Sequence, residues 1–218
     1  MKVLEGNNEL NNSVINAYGT AVVFGEGNKQ LTLSGTIVNG GIDESDPNTK
    51  GIAISGSNNG DTLILQSGKV EYTINGEKKS ATQNTIVNGN INMGGEADTL
   101  TIGAGTIING ALDGGDSSSK DTLNFGVSSG AKSIPAESQG INIMHNITNF
   151  ENINVGENTN VTLFEKTIGA DGKETALEVS GVKEIDIKAG GVLNLRIDSQ
   201  KLNGGKIIST MQKSSMTW

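Results

Sequence analysis

Three aspartates open near-identical runs, at residues 61–65 (DTLIL), 98–102 (DTLTI) and 121–125 (DTLNF). An Asp with Leu two positions on, after a glycine-rich turn, is half of the nonapeptide G-G-x-G-x-D-x-L-x. Loops of that repeat set carbonyl and carboxylate oxygens around Ca²⁺. Residues 56–64 (GSNNGDTLI) supply the Asp and the Leu, but Ser57 and Asn58-Asn59 stand where glycines are wanted. Residues 94–102 (GGEADTLTI) are one residue short before the Asp. Calcium takes about six to eight oxygens, so the nonapeptide has to recur every ~9 residues. Here it does not. Asp61, Asp98 and Asp121 are therefore calcium candidates by residue type alone. The simpler reading has each start a strand and accept hydrogen bonds from local turn N–H groups.

Acid–base chemistry on glycans needs two aimed carboxyl groups, or an acid-bound cation beside a basic residue. The chain has one arginine, Arg196, and one histidine, His145. Strand alternation sets Arg196 and Asp198 on one outer face, as a surface ion pair worth roughly 0–1 kcal/mol. His145, between Met144 and Asn146, reads as a solvated turn residue. Asp113 with Asp116, and Asp43, Glu44 and Asp46, fall in Gly- or Ser-rich loops with no element to aim them. Residues 103–105 (GAG) lack a lysine and open no helix, so no phosphate loop is present. No nucleophile sits beside a base. The residues argue against an enzyme and imply no cofactor.

The elements that would position these side chains are short strands. Apolar residues alternate at Leu31 and Leu33, Ile52 and Ile54, Leu63 and Leu65, Leu100 and Ile102, Leu123 and Phe125, and on through Ile153 and Val155 to Leu193 and Leu195. Alternation in bursts of three to five residues, broken by Gly, Asn, Ser or Asp, is strand periodicity. Asp186 and Lys188 take outward positions between inward Ile185 and Ile187. Residues 128–139, with Pro135, read as a surface loop. The fold class is all-β.

Repetition then narrows the architecture. TIVNGGI at 36–42, TIVNGNI at 85–91 and TIINGAL at 106–112 are one motif, with an echo, TING, at 73–76. Together with the DTL runs they give a unit of about 21–23 residues, a solenoid period. The step from Asp61 to Asp98 is longer. Either residues 71–83 form a loop between coils, or TING marks a coil of its own. Asn-Gly between apolar residues is a hairpin signal, yet here it recurs at one place in the motif (Asn39-Gly40, Asn88-Gly89, Asn109-Gly110). Both residues tolerate left-handed backbone, so the dipeptide can instead turn a solenoid corner, with asparagines bonded to one another between coils. The expected fold is a right-handed, single-stranded parallel β-helix of eight to ten coils. Residues 1–30 would be a cap or first irregular coil, 31–126 the regular coils, and 127–218 a less regular continuation.

Composition agrees. The 218 residues include 31 Gly, 2 Pro and no Cys, with 3% aromatics. The core must be aliphatic and thin, and a disulfide framework or thiolate zinc site is excluded. A formal net charge of −8 speaks against nucleic acid, which needs a basic surface. No apolar run reaches the ~18 residues of a membrane span. Residues 1–12 lack the apolar centre of a signal peptide, so an exported chain would carry its signal elsewhere.

Residues 98–125 (DTLTIGAGTIINGALDGGDSSSKDTLNF), with NITNFENINV, VTLFEKT and VLNLRID further on, resemble the passenger region of type V autotransporters, in particular large fusobacterial-type surface adhesins. The resemblance spans about residues 31–198. It implies a passenger displayed at the outer-membrane surface of a Gram-negative bacterium, a translocating β-barrel elsewhere in the full-length protein, and a role in adhesion and virulence. The implied partner is a host or bacterial surface protein or glycan. Inserts such as 43–50 and 71–83 would make the contacts. A calcium-binding repeat module and a β-helical polysaccharide-degrading enzyme are the alternatives.

Overall fold

Leu, Ile and Val alternating with Thr and Asn cannot bury an apolar stripe as a helix, and all regular elements among the described residues are strands. The computed structural model describes residues 1–41, 51–116, 118–126, 140–168 and 172–196. Among them no helix is long and apolar enough to cross a membrane. The strands fall into recurring sets. One sheet holds β1 (Lys2–Val3), β4 (Val22–Phe24), β7 (Ile52–Ser55), β12 (Asn90–Asn92), β15 (Leu112–Asp113), β18 (Ile147–Thr148) and β23 (Val179–Ser180). A second holds β2 (Asn7–Asn11), β5 (Gln30–Ser34), β8 (Thr62–Gln66), β13 (Thr99–Ile102), β16 (Thr122–Phe125), β19 (Asn152–Val155) and β24 (Glu184–Ile187). The third position is split between two sheets. β3 (Val14–Asn16), β6 (Ile37–Asn39), β11 (Thr85–Asn88) and β14 (Thr106–Asn109) form one; β17 (Ile141–Ile143), β20 (Asn160–Leu163) and β25 (Val192–Leu195) form the other.

Every pairing in these four sheets is parallel, and equivalent motif residues face one another. Thr99 is the Cα partner of both Thr62 and Thr122. Asn88 is the partner of both Asn39 and Asn109. The three DTL runs therefore share the second sheet and the three TI(V/I)NG runs share the third. Asn88 and Asn109 are 21 residues apart, and Asp98 and Asp121 are 23. Other steps are longer, 37 residues from Asp61 to Asp98 and 49 from Asn39 to Asn88. The two deepest sheets are seven strands deep among the described residues.

Inward side chains make one continuous aliphatic column. Leu31, Leu33, Ile54, Leu63, Leu65, Ile91, Leu100, Ile102, Leu112 and Leu123 are fully buried, with Phe125 and Phe150 added lower down. Each such side chain is worth roughly 1.5–3 kcal/mol of transfer free energy. Ile52 does not join them. The register between β7 and β12 shifts at Asn90/Ile91, so Ala53 and Ile54 both turn inward and Ile52 faces solvent. Ile187 and Leu195, on the last strands of their sheets among the described residues, are also exposed.

Residues 71–83 are neither a loop nor a coil. β9 (Gly68–Ile74) and β10 (Glu77–Gln83) pair antiparallel, with Thr73 opposite Lys78. Asn75 (φ 54°) and Gly76 (φ 82°) turn the ribbon, the left-handed pair that a tight hairpin requires. The TING echo is thus a true hairpin turn. The three repeated Asn-Gly pairs are not, and their asparagines lie in strands instead of left-handed corners. Glycine follows them because backbones touch. A Cβ on Gly110 would stand 2.1 Å from the Gly89 carbonyl oxygen, and one on Gly40 2.8 Å from the Ala21 Cβ.

Candidate functional site: a buried carboxyl column and an exposed hairpin

Asp61, Asp98 and Asp121 do come together, one on each rung at the entry to β8, β13 and β16, and all are buried. Their shared partners lie one rung away, beyond the local turns expected of them. Asp98 Oδ1 accepts the backbone N–H of Asp61 (2.6 Å), and Asp121 Oδ1 accepts that of Asp98 (2.8 Å). Asp61 Oδ1 accepts the N–H of Lys29 (3.0 Å), and Glu151 Oε2 accepts that of Asp121 (2.9 Å). The reason is geometric. The residue before each parallel strand leaves its N–H free of the ladder, and the equivalent carboxyl one rung away can reach it. Only Asp61 also takes the predicted local bonds, from the N–H (2.9 Å) and Oγ (2.8 Å) of Ser57.

The column is uneven. Asp61 meets three donors, and Glu151 has an N–H and, at 3.7 Å, the Lys183 ammonium. Asp98 Oδ2 and Asp121 Oδ2 are buried with no hydrogen-bond partner. Burial pushes the Asp98 carboxyl up to about 8 and the Asp121 carboxyl to about 6, with neighbouring acids adding to the rise. Calcium would need further oxygens around these carboxyls. Among the described residues no group of three or more His, Cys, Asp or Glu side chains is placed to hold a metal.

The other candidate residues are engaged in structure. Asp113 is not in a loop: it ends β15, where it accepts bonds from Asn92 Nδ2 (3.1 Å), Asn149 Nδ2 (2.8 Å) and the Gly115 N–H (3.0 Å). Asp116 accepts the N–H of Ser118 (2.9 Å). Arg196 pairs with Glu165 through Nε (3.1 Å) and lies over the Phe164 ring at 4.5 Å. His145 is half-buried, with Nδ1 3.2 Å from Thr167 Oγ1. Asp43, Glu44, Asp46, the 43–50 insert, residues 128–139 and Asp198 lie outside the described residues. An open cleft of about 800 Å³ runs past Phe24, Ser55, Asn58, Asn59 and Asn92, and among the described residues Glu26 is the one ionisable side chain lining it. A general acid and a base are not paired there.

Two further networks were only partly legible. Asn39 Nδ2 donates to Asn16 Oδ1 (2.6 Å), Asn88 to Asn39 (2.6 Å) and Asn109 to Asn88 (2.7 Å), the amide ladder expected of stacked asparagines. Thr36, Thr85 and Thr106, which open the same motif, are buried, and their hydroxyls donate to carbonyls at the strand ends before them. In contrast, the hairpin β9–β10 exposes nearly every residue, including Tyr72 and Ile74. A second antiparallel pair, β21 (Lys166–Ile168) with β22 (Glu174–Ala176), is exposed on its β22 side and carries the Lys166–Glu174 ion pair at 2.7 Å. Compared with known proteins, the chain matches no family model, no curated protein and no solved structure.

Proposed function

We propose that these strands wind as a right-handed, single-stranded parallel β-helix whose uninterrupted coils take about 21–23 residues, and that the chain is a non-catalytic passenger segment of a type V autotransporter. In this reading it is an adhesin or display scaffold at the outer-membrane surface of a Gram-negative bacterium. The signal and translocating barrel belong to other parts of the full-length protein. Its partner is a host or bacterial surface protein or glycan.

One observation carries the reading: the repeated Asp and Asn side chains of the stacked strands are spent on rung-to-rung bonds, whereas β9–β10 stands outside the stack with both faces open. A rigid stack that consumes its own functional groups suits display, and exposed inserts are where recognition can vary without disturbing it. The absence of cysteine fits a chain threaded unfolded through a pore. The test places the chain between a secretion signal and a translocating barrel. Surface exposure of a protease-resistant core, with adherence to cells or matrix that falls when residues 69–82 are replaced by a short turn, is the expected result. Failure to reach the surface, or display without adherence, overturns it.

A further inference from the structure

The four carboxyl groups of the second sheet pose a charge problem that the display reading does not touch. They follow one another up parallel strands spaced ~4.8 Å apart, all buried, each giving one oxygen to the N–H of the rung before it. At the two ends, further donors or a cation meet the charge. In the middle, Asp98 Oδ2 and Asp121 Oδ2 have neither. The strongest charge effects on Asp98 come from acids (Asp61, Asp121 and Glu96), as do those on Asp121, from Glu151, Asp116 and Asp113. Lys29 contributes its backbone N–H to Asp61. Lys183 pairs with Glu151 at 3.7 Å, with most of its side chain in solvent. A buried carboxylate without a cation or enough donors is far costlier than the neutral acid, and adjacent like charges raise that cost.

We propose that Asp98 and, in mildly acidic solution, Asp121 are held as protonated acids, making the column a proton-dependent clamp between β8, β13, β16 and β19. The neutral carboxyl keeps its carbonyl-type oxygen on the N–H of the neighbouring rung, so the inter-strand bond survives while the charge is removed. Deprotonation puts two anions one strand spacing apart in a closed site and loosens the rungs they join. The direction with pH follows from linkage. In the unfolded chain both groups lose their protons near the ordinary value of about 4, whereas in the fold they keep them to about 8 and about 6. The native state therefore binds more protons in between. The stability they contribute is full below the unfolded value and is lost as pH rises through the two folded values.

Carboxyl ¹³C NMR of the intact chain reads the two titrations directly. Thermal melts between about pH 5 and about pH 9, with and without millimolar Ca²⁺, read the consequence. Asp98 and Asp121 resonances should remain those of the acid well above the ordinary range, and Tm should fall as pH rises. Asp98→Asn with Asp121→Asn, a neutral pair that keeps the accepting oxygen, should flatten most of that fall. Titration of both groups near the ordinary carboxyl value, or Ca²⁺ raising the wild-type Tm, overturns the proposal. So does an undiminished fall in Tm in a folded double variant. Should that variant not fold, the wild-type titration alone decides.

Discussion

Between β11 and β16 equivalent residues repeat at 21–23-residue steps; beyond residue 140 the strands keep their place in the sheets but not their sequence. In the first region Asn stacks on Asn and Thr on Thr, and Leu100, Ile102, Leu112 and Leu123 leave no surface to water. In the second, Glu184 lies over Asn152 and Val192 over Asn160, and Val179, Val182, Ile185 and Leu193 are only partly covered. The long ladder Asn16–Asn39–Asn88–Asn109 gives way to the bond from Asn194 to Asn160 at 2.7 Å, in a separate sheet. Identical side chains at one rung position pack and bond by translation alone. Where that identity is lost, each layer has to be fitted separately.

This contrast can be broken from the core outward. Leu100→Ala should cost about 2–5 kcal/mol, because both flanking layers fix the cavity it leaves, while Leu193→Ala, at a half-buried position, should cost under about 1.5 kcal/mol. Denaturant unfolding of both variants measures the gap. Next in size is Gly56→Ala. Its Cβ would sit 1.6 Å from the Met93 carbonyl oxygen, so β7 must move off β12 at a cost of about 1–3 kcal/mol, read as a lower Tm. Smaller again is Asn88→Ala, which strands a donor on Asn109 and an acceptor on Asn39 and should cost about 1–2 kcal/mol. Asn194→Ala, at an exposed ladder end, should stay within about 0.5 kcal/mol. Equal costs for the two asparagines would show that repetition adds nothing to the ladder.

Much of this arrangement was legible before any coordinates. The DTL and TI(V/I)NG spacings place their strands in the right sheets because a rung-to-rung step changes the side chain's height and little else. The hairpin was hidden because EYTINGEKKSATQ has too little apolar alternation to announce a strand, although its Asn75-Gly76 turn carried the signal. Glu151 joins the carboxyl column without a DTL motif; aligning Glu151-Asn152-Ile153 on Asp121-Thr122-Leu123 would have found it. The bonds of the column itself could not be read from one rung. Local precedent sends an Asp before a strand to its own turn, whereas here the acceptor lies 23–37 residues away from the donor it serves.

In-register parallel stacking is the claim on which the rest depends, and a chain without cysteine allows it to be tested by paired substitution. Ile86 and Ile107 are Cα partners on adjacent parallel strands and both turn away from the core. That spacing lies within the roughly 4.4–6.8 Å that a disulfide spans. Ile86→Cys with Ile107→Cys should oxidise to an intramolecular disulfide, while Ile86→Cys with Ile91→Cys should stay reduced. Closure of the second pair and not the first would mean that Asn88-Gly89 turns an antiparallel ribbon, and would contradict the stack.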